Sequence, residues 1–242
     1  MNNIKILDNV NLDEIRDKLY EKLKESGWAL KLRTFIYSDA FSSILIQLLK
    51  EAKAGDRFTP PLKNVFKAFT ECPYNELKVV LIGQNPYPYA NVCDGIAFSA
   101  KDATFIPSAL RFMFREIETT IYPEGGYTWN PNLARWSNQG ILMINTTLTT
   151  TVGKVDVHYD LWKPFIGFLL DILGSYNPGL IYVFVGTKAK RWSDMVPESN
   201  HKLFCTHPSS AAHTLKELWD SDDVFNKTSK LMMAYYKHKM IW

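Results

Sequence analysis

A chain of 242 residues with 46% hydrophobic and 22% charged residues can form one large globular domain and does not require two. Its formal net charge of +3 excludes a strongly basic protein, so a nucleic-acid partner would need a local basic surface. We expect neither a signal peptide nor a membrane-spanning segment, because no apolar run is long enough. Three cysteines without metal-ligand spacing favour small, buried, reduced thiols in an intracellular protein: Cys72, Cys93 and Cys205.

Amphipathic patterning predicts two helices near the start of the chain, over residues 11–26 and 38–54. Apolar residues recur there at helical spacing, and a glycine, Gly27 or Gly55, follows each segment where a helix would end. Nothing in either helix suggests a site. We therefore interpret residues 1–58 as an N-terminal helical packing region within one domain that covers residues 1–242.

The rest of the chain is organised around residues 78–99, KVVLIGQNPYPYANVCDGIAFS. Residues 79–82 are apolar and β-branched, as in a buried strand of a parallel sheet, and Gly83 allows a tight turn. The next loop stands at the C-terminal end of that strand, where open α/β sheets bind ligands. Its amides, its two prolines and Tyr87, together with Phe98, predict a stiff pocket wall for a flat ligand. A proline-rich loop without chemistry explains this stretch alone equally well.

Two further buried strands are predicted over residues 141–144 and 180–185, and a fourth strand is predicted over residues 202–205. Helices are predicted between and after the strands, over residues 64–69, 109–119, 133–140, 161–173 and 225–236. This alternation predicts an α/β fold, in which a central parallel four-stranded sheet carries helices on both faces within a single domain.

Polar residues stand where these elements begin or end. Asn145 ends an apolar strand, where its amide needs partners, although it could simply tie down a turn. Gly186 exposes backbone amides close to several basic residues, which favours a phosphate contact. His207 closes the last strand before a rigid proline and two hydroxyl side chains, a context that favours chemistry over a structural role. Ser108, beside Pro107, is typical of a helix N-terminus, which also offers free amides to a phosphate.

Four segments together resemble the family 1 uracil-DNA glycosylases, in the family's order, from about residue 59 to residue 242. The family's motifs are GQDPYH with GLxFS, LxxWxxQGVLLLN, a strand ending in Gly-Ser, and HPSPLS. Their counterparts here are GQNPYP with GIAFS, LARWSNQGILMINTT, LIYVFVGTK and CTHPSSAA. The resemblance implies a hydrolase of base excision repair that flips uracil out of DNA and hydrolyses its N-glycosidic bond. It also implies a monomer that needs neither a metal nor an organic cofactor.

The resemblance implies a uracil pocket formed by Gln84, Tyr87, Phe98 and Asn145. Tyr87 would stand against C5 of the base and exclude the methyl group of thymine, while Phe98 would stack on the ring. Asn145 would bind the O4 and N3–H edge of uracil and mismatch cytosine. The catalytic residues would be Asn85, which holds the attacking water, and His207, which donates a hydrogen bond to O2 of the departing uracil.

Motif positions imply DNA contacts for Pro61, Pro107, Ser108, Gly186, Thr187, Ser209, Ser210 and Ala211. Pro61 belongs to the loop Thr59-Pro60-Pro61, which its residues alone favour as a plain proline turn. In the family a leucine at the position of Ala211 wedges into the gap left by the flipped base, and alanine fills far less volume. His213 and Leu215 are the candidates to replace it.

Asn85 stands where the family has aspartate. Its neutral amide can hold a water but cannot accept the proton, and general-base help is typically worth about 10² to 10⁴ in rate. Three explanations stay open: a natural slower enzyme, a site altered to trap substrate, or a protein that has lost catalysis.

Pro88 stands where the family has histidine, and in this it resembles the poxvirus branch, which also serves as a DNA-polymerase processivity component. That branch supplies the alternative function, a catalytically weakened glycosylase fold that binds DNA or a protein partner. We expect uracil-containing DNA, single or double stranded, and a protein inhibitor or replication partner, but no membrane. The expected location is cytoplasmic for a bacterial or phage protein, and nuclear or in a viral factory for a eukaryotic or viral one.

Overall fold

The computed structural model describes residues 10–100, 106–213 and 219–242. Within these ranges the strands are β1 (Phe58–Thr59), β2 (Val79–Gly83), β3 (Ile141–Asn145), β4 (Thr150–Thr151), β5 (Ile181–Val185) and β6 (His201–Cys205). The α-helices there are α1 (Leu12–Lys22), α2 (Trp28–Ile36), α3 (Asp39–Lys53), α4 (Lys67–Glu71), α5 (Ser108–Thr120), α6 (Ala134–Ser137), α7 (Tyr159–Tyr176), α8 (Thr187–Lys190), α9 (Ser209–His213) and α10 (Val224–Tyr236).

A four-stranded parallel sheet with the strand order β3-β2-β5-β6 forms the centre of the molecule. Every residue of β2, β3 and β5 is buried, whereas β6 lies at the edge of the sheet and is only partly buried. Burial on both faces is the reason that these three strands, including the edge strand β3, have continuous apolar sequences. The prediction of a single-domain α/β fold with a four-stranded parallel sheet is confirmed.

The register of the strands brings their carboxyl ends to one edge of the sheet. Gly83 lies opposite Asn145 in the β2–β3 pair, and Val185 lies opposite Cys205 in the β5–β6 pair. The residues that follow each strand are therefore neighbours in space although they are far apart in the chain, as parallel topology requires.

The N-terminal helices pack on α7 through aromatic side chains. Phe35 of α2 contacts the ring of Phe165 in α7 at 5.2 Å between centroids, and Phe66, the residue before α4, contacts the same ring at 5.4 Å. The helix predicted over residues 11–26 ends earlier, at Lys22, and α3 matches its prediction closely. The division at residue 58 stays a prediction.

Several elements differ from their predictions. Helix α2 was not predicted, because the sequence pattern indicates Gly27 only as the end of the first helix. In the structure Gly27 takes a left-handed φ of 76°, and a new helix begins at the next residue. The helix predicted over residues 64–69 is a 3₁₀ turn, Leu62–Asn64, followed by α4. Strands β1 and β4 pair over only two residues each, too short for a periodicity to indicate them. Within the described part of the chain, no helix has the length and apolar character needed to cross a membrane.

Candidate active site

A cleft of about 950 Å³ opens at the edge of the sheet where β2, β3, β5 and β6 end. Most of the residues predicted to form the site line it: Gln84, Asn85, Tyr87, Phe98, Pro107, Ser108, Asn145, Gly186, Thr187, His207, Ser209 and Ser210. The described residues contain no group of three or more His, Cys, Asp or Glu side chains that could hold a metal ion. The cleft offers amides, hydroxyls, an imidazole, aromatic rings and a few charged side chains as its chemical groups.

Two predicted DNA-binding residues lie elsewhere. Pro61 is exposed, and its neighbour Pro60 lines the cleft instead. Ala211 is only 2% exposed and packs in the hydrophobic core. The side chain of His213 and the whole of Leu215, the two candidates to replace the wedge, lie outside what the structure describes.

The floor of the cleft depends on a close approach at Gly83. A Cβ atom at this position would overlap the Asn145 Oδ1 atom and lie 2.9 Å from the Phe98 ring. Asn145 is 9% exposed, and no described residue forms a hydrogen bond with its side-chain amide. Buried polar groups normally have hydrogen-bond partners. An amide without one among the described residues keeps both its donor and its acceptor available to a ligand.

Tyr87 forms a rigid wall above this floor. Its hydroxyl donates to the Phe98 carbonyl at 2.9 Å, and its own carbonyl accepts from the Thr59 hydroxyl at 3.1 Å and from the Cys93 thiol at 3.5 Å. Burial raises the pKa of Tyr87 well above its usual value. The phenol is therefore neutral and held from both ends, so the ring cannot move aside easily.

His207 stands on the opposite side, after β6. The Ser209 backbone N–H donates to its Nδ1 atom at 3.2 Å, so the proton of the neutral imidazole is assigned to Nε2. Its ring lies 5.8 Å from the Phe98 ring, measured between centroids. Gly186 allows Gln84 and His207 to approach its backbone closely, since a Cβ atom there would lie 2.7 Å from Gln84 Nε2 and 3.0 Å from His207 Cβ.

The Asn85 side chain has a defined orientation. Its Nδ2 atom donates to the Pro86 carbonyl at 2.7 Å. A carbonyl only accepts, so the amide nitrogen must face Pro86 and the Oδ1 atom must face the other way. Asn85 thus presents an acceptor, which suits a water molecule.

The loop that carries Asn85 is tied to the strand next to it. The Gln84 carbonyl accepts from the Thr146 hydroxyl at 2.8 Å and from the Thr147 backbone N–H at 3.2 Å. Thr146 in turn donates its backbone N–H to the Gly83 carbonyl at 3.0 Å. These bonds hold the loops after β2 and β3 side by side.

The charges of the cleft are mixed. Lys190 lines it beside Thr187, and Lys188 forms an ion pair with Asp156, which also lines the cleft. Asp220 and Asp222 add two more carboxylates. Such a lining agrees with the small net charge of +3, because any attraction for DNA must come from a few local groups.

Some lining residues were not predicted, notably Tyr89, Val155 and Asp156. Tyr89 directly follows the GQNPYP loop, so its position was a usable signal. Val155 and Asp156 lie in the segment between β4 and α7, and no sequence pattern connects that segment with β2.

Known proteins resemble this chain in sequence. The family model described as "Uracil DNA glycosylase superfamily" matches residues 69–231, well over half of the chain. The chain belongs to the uracil-DNA glycosylase superfamily. A uracil-DNA glycosylase of Acinetobacter baumannii is 27% identical over 232 residues, which cover 95% of this chain and 97% of the relative. That of Coxiella burnetii is 32% identical over 174 residues, which cover 70% of this chain and 74% of the relative.

Solved structures of the superfamily share the fold. Mimivirus uracil-DNA glycosylase has a TM-score of 0.80 and 21% identity, covering 96% of this chain and 89% of its own. A variant of the mimivirus enzyme in complex with UGI has a TM-score of 0.79 and 21% identity, covering 89% of this chain and 87% of its own. Membership of the superfamily confirms the prediction of a uracil-DNA glycosylase, a hydrolase of DNA base excision repair. The roles of individual residues stay predictions.

Proposed function

We propose that uracil binds between Tyr87, Phe98 and Asn145, and that Asn85 holds the water that replaces it on the sugar. The observation that carries this proposal is the nearly buried Asn145 amide, which has no hydrogen-bond partner among the described residues. Leaving a buried donor and acceptor unpaired is unfavourable, so a ligand that satisfies both is favoured. The O4 and N3–H edge of uracil supplies an acceptor beside a donor, whereas cytosine presents a donor beside an acceptor.

Selection against thymine follows from the Tyr87 ring. Its hydroxyl is bonded to the Phe98 carbonyl at 2.9 Å, so the ring has little freedom to make room for a methyl group at C5. Phe98, which lies 7% exposed at the cleft floor, offers its ring to the face of the base. Gln84 lies against Gly186, next to His207, and completes the pocket.

His207 stabilises the leaving group in this proposal. Uracil departs as an anion with negative charge on O2, and a donor counts most where such charge develops. The Nε2–H tautomer, which follows from the Ser209 N–H bond to Nδ1, provides that donor. Removing one such donor typically lowers the rate by about 10² to 10³.

Asn85 positions the nucleophile. Its Oδ1 atom is turned away from Pro86 and accepts a hydrogen bond from water. An amide cannot take the proton of that water and carries no negative charge to stabilise the cationic sugar, so we propose slower chemistry than with a carboxylate.

The DNA strand is proposed to cross the cleft along three polar segments. These are the start of α5 at Pro107 and Ser108, the Gly186-Thr187 turn, and the start of α9 at Ser209 and Ser210. The exposed position of Pro61 allows a backbone contact outside the cleft. The burial of Ala211 argues against a wedge from that residue.

A protein partner and the cellular location are also proposals. The mimivirus enzyme variant was solved in complex with UGI, and we infer that a protein inhibitor or replication partner binds this chain as well. We propose that the protein works as a monomer in the compartment that holds the DNA.

The decisive experiment compares the protein with an Asn85→Asp variant on a single-uracil oligonucleotide, in single- and double-stranded form, by alkali-labile cleavage over time. We expect both to cleave and the variant to be faster by about 10² or more, because the carboxylate supplies a general base. A carboxylate cannot donate to the Pro86 carbonyl, so it must turn away from it. A faster rate therefore requires that the rest of the pocket is intact. Asn138→Asp adds the same charge at an exposed position and should leave the rate unchanged.

Other outcomes separate the explanations. Equal rates for both proteins would mean that Asn85 does not position the water. Cleavage by the variant alone would mean a complete pocket that lacks only its carboxylate. Failure of both to cleave DNA that they still bind would favour the alternative function, a DNA-binding or partner-binding module.

A further inference from the structure

The mouth of the cleft carries apolar side chains that no part of the mechanism uses. Tyr89 is 50% exposed, Val155 is 57% exposed and Val157 is 49% exposed. Tyr89 and Val155 line the cleft itself. Together with two basic neighbours they form a surface that we call the rim patch: Arg57, Tyr89, Lys154, Val155 and Val157.

The segments of the rim patch are fixed next to one another by backbone hydrogen bonds. The Gly153 N–H donates to the Pro88 carbonyl at 2.8 Å, which joins the segment of Val155 to that of Tyr89. The Val152 N–H donates to the Arg57 carbonyl at 2.8 Å, extending the pairing of β1 with β4. The patch is thus held in place without any ligand.

The basic side chains of the rim patch differ from Lys188. Arg57 is exposed and forms no ion pair with a described residue. Lys154 is 60% exposed and approaches Asp56 only at 4.0 Å, a separation at which exposed pairs contribute little. Lys188, by contrast, is occupied by Asp156. The rim patch therefore presents available positive charge beside an exposed aromatic ring.

We infer that the rim patch binds the unpaired nucleotides next to the uracil, with the Tyr89 ring stacked on one neighbouring base and with Arg57 and Lys154 close to the phosphates. This inference rests on the proposed function and specifies its substrate as unpaired DNA. Aromatic rings set among positive charges are the usual surface for single strands, since every base has a face that can stack. A duplex keeps those faces covered by neighbouring bases. Because the rim patch is continuous with the cleft, it contacts the same DNA strand whose uracil enters the cleft.

The test measures binding of single-stranded oligonucleotides that carry one 2′-fluoro-deoxyuridine, whose glycosidic bond resists hydrolysis. We expect Tyr89→Ala to weaken binding by about 5- to 150-fold, the usual value of one stacked base. Tyr89→Phe keeps the ring and should bind within about twofold of the unmodified protein. Tyr235→Ala removes a tyrosine of similar exposure, 59%, from α10 and is the matched control.

Abasic analogues placed singly at the three positions on either side of the uracil identify the stacked base. At one position the analogue should weaken binding by the unmodified protein as much as Tyr89→Ala does. When that analogue is combined with the Tyr89→Ala variant, binding should weaken by less than about twofold beyond the effect of either change alone. On duplex DNA the effect of Tyr89→Ala should be at least about fivefold smaller. An equal loss at every position, or no loss with single-stranded DNA, would overturn the inference.

The phosphate contacts have their own readout. Arg57→Gln and Lys154→Gln should each reduce the slope of log affinity against log salt concentration by about 0.7 on single strands. Lys18→Gln, an exposed lysine on α1, should leave the slope unchanged. Uracil cleavage by the unmodified protein is scored separately. Its absence would remove the proposed function, whereas cleavage without any dependence on Tyr89 would remove only this inference.

Discussion

At the scale of single residues, Tyr87 sets the shape of the pocket. Its ring is held by the bond from its hydroxyl to the Phe98 carbonyl and by the bond from the Thr59 hydroxyl to its own carbonyl. A phenol fixed in this way acts by occupying space, not by titrating, because burial keeps its pKa far above neutral pH.

Replacement of Tyr87 by alanine should therefore admit thymine. Selection by one methyl group is worth about 10- to 200-fold, and we expect the ratio of uracil to thymine cleavage to fall by that factor. The measurement is base release from two oligonucleotides of the same sequence, one with uracil and one with thymine at the target position. Tyr87→Phe keeps the ring and should keep the selectivity. If the alanine variant cleaves uracil and leaves thymine untouched, the steric explanation fails.

Gly83 matters through the space that it leaves for Asn145 and Phe98. We predict that Gly83→Ala lowers kcat/KM by about 10², because a Cβ atom 2.9 Å from the Phe98 ring displaces both side chains by a fraction of an ångström or more. Steady-state cleavage and a thermal melt measure this. Gly167→Ala, whose new Cβ would make only ordinary contacts at 3.8 Å, is the control and should stay active. Cleavage by Gly83→Ala at the normal rate would show that the close approach is not required.

At the scale of secondary structure elements, a buried hydrogen-bond network joins α3 to the start of α7. His158, whose side chain is 3% exposed, places Nε2 at 2.7 Å from the Glu51 carboxylate and Nδ1 at 2.9 Å from the Thr149 hydroxyl. The Trp162 indole N–H donates to the same hydroxyl at 2.7 Å. The network fixes the segment that leads from β3 to the cleft mouth.

Loss of the carboxylate should destabilise the fold. We expect Glu51→Ala to lower the melting temperature by roughly 2–10 °C, because an unsatisfied buried donor costs about 1–3 kcal/mol. Glu51→Gln keeps an acceptor and should lose less. Glu14→Ala breaks only the exposed pair with Lys18 and should have little effect. An unchanged melting temperature for Glu51→Ala would mean that water replaces the carboxylate without loss.

At the scale of the whole molecule, buried thiols make stability depend on pH. Burial raises the pKa of Cys72 and of Cys93 from 9.0 to about 12. Between these values the unfolded chain has lost protons that the folded chain keeps, so stability falls as pH rises above 9. At pH 10 the loss is about 1.4 kcal/mol per thiol.

Thermal melts between pH 8 and pH 10 check this prediction. The melting temperature should fall over this range, and Cys72→Ala should reduce the fall relative to its own value at pH 8. The comparison within each protein removes the direct effect of the substitution on packing. A fall of the same size with and without Cys72 would show that the thiol does not contribute.

Much of the fold and the site could be predicted from local patterns. The apolar runs at β2, β3 and β5 indicate buried strands because both faces of these parallel strands are covered. Asn145 ends β3, and Asn85 and His207 each lie two residues after the end of a strand. Parallel topology brings these strand ends together whatever the loops do. These residues were therefore predictable as neighbours, and the four motif segments indicated the superfamily.

The remaining features depend on distances across the fold, which no local pattern contains. Burial of Ala211, the bond between Glu51 and His158, and the position of Val155 beside Tyr89 are set by how the helices and loops pack on the finished sheet. The sequence by itself determined the elements, their order and the chemical groups at the strand ends. Only the tertiary structure decided which side chains face the cleft, because a loop or a short helix can turn toward it or into the core without any change in sequence pattern.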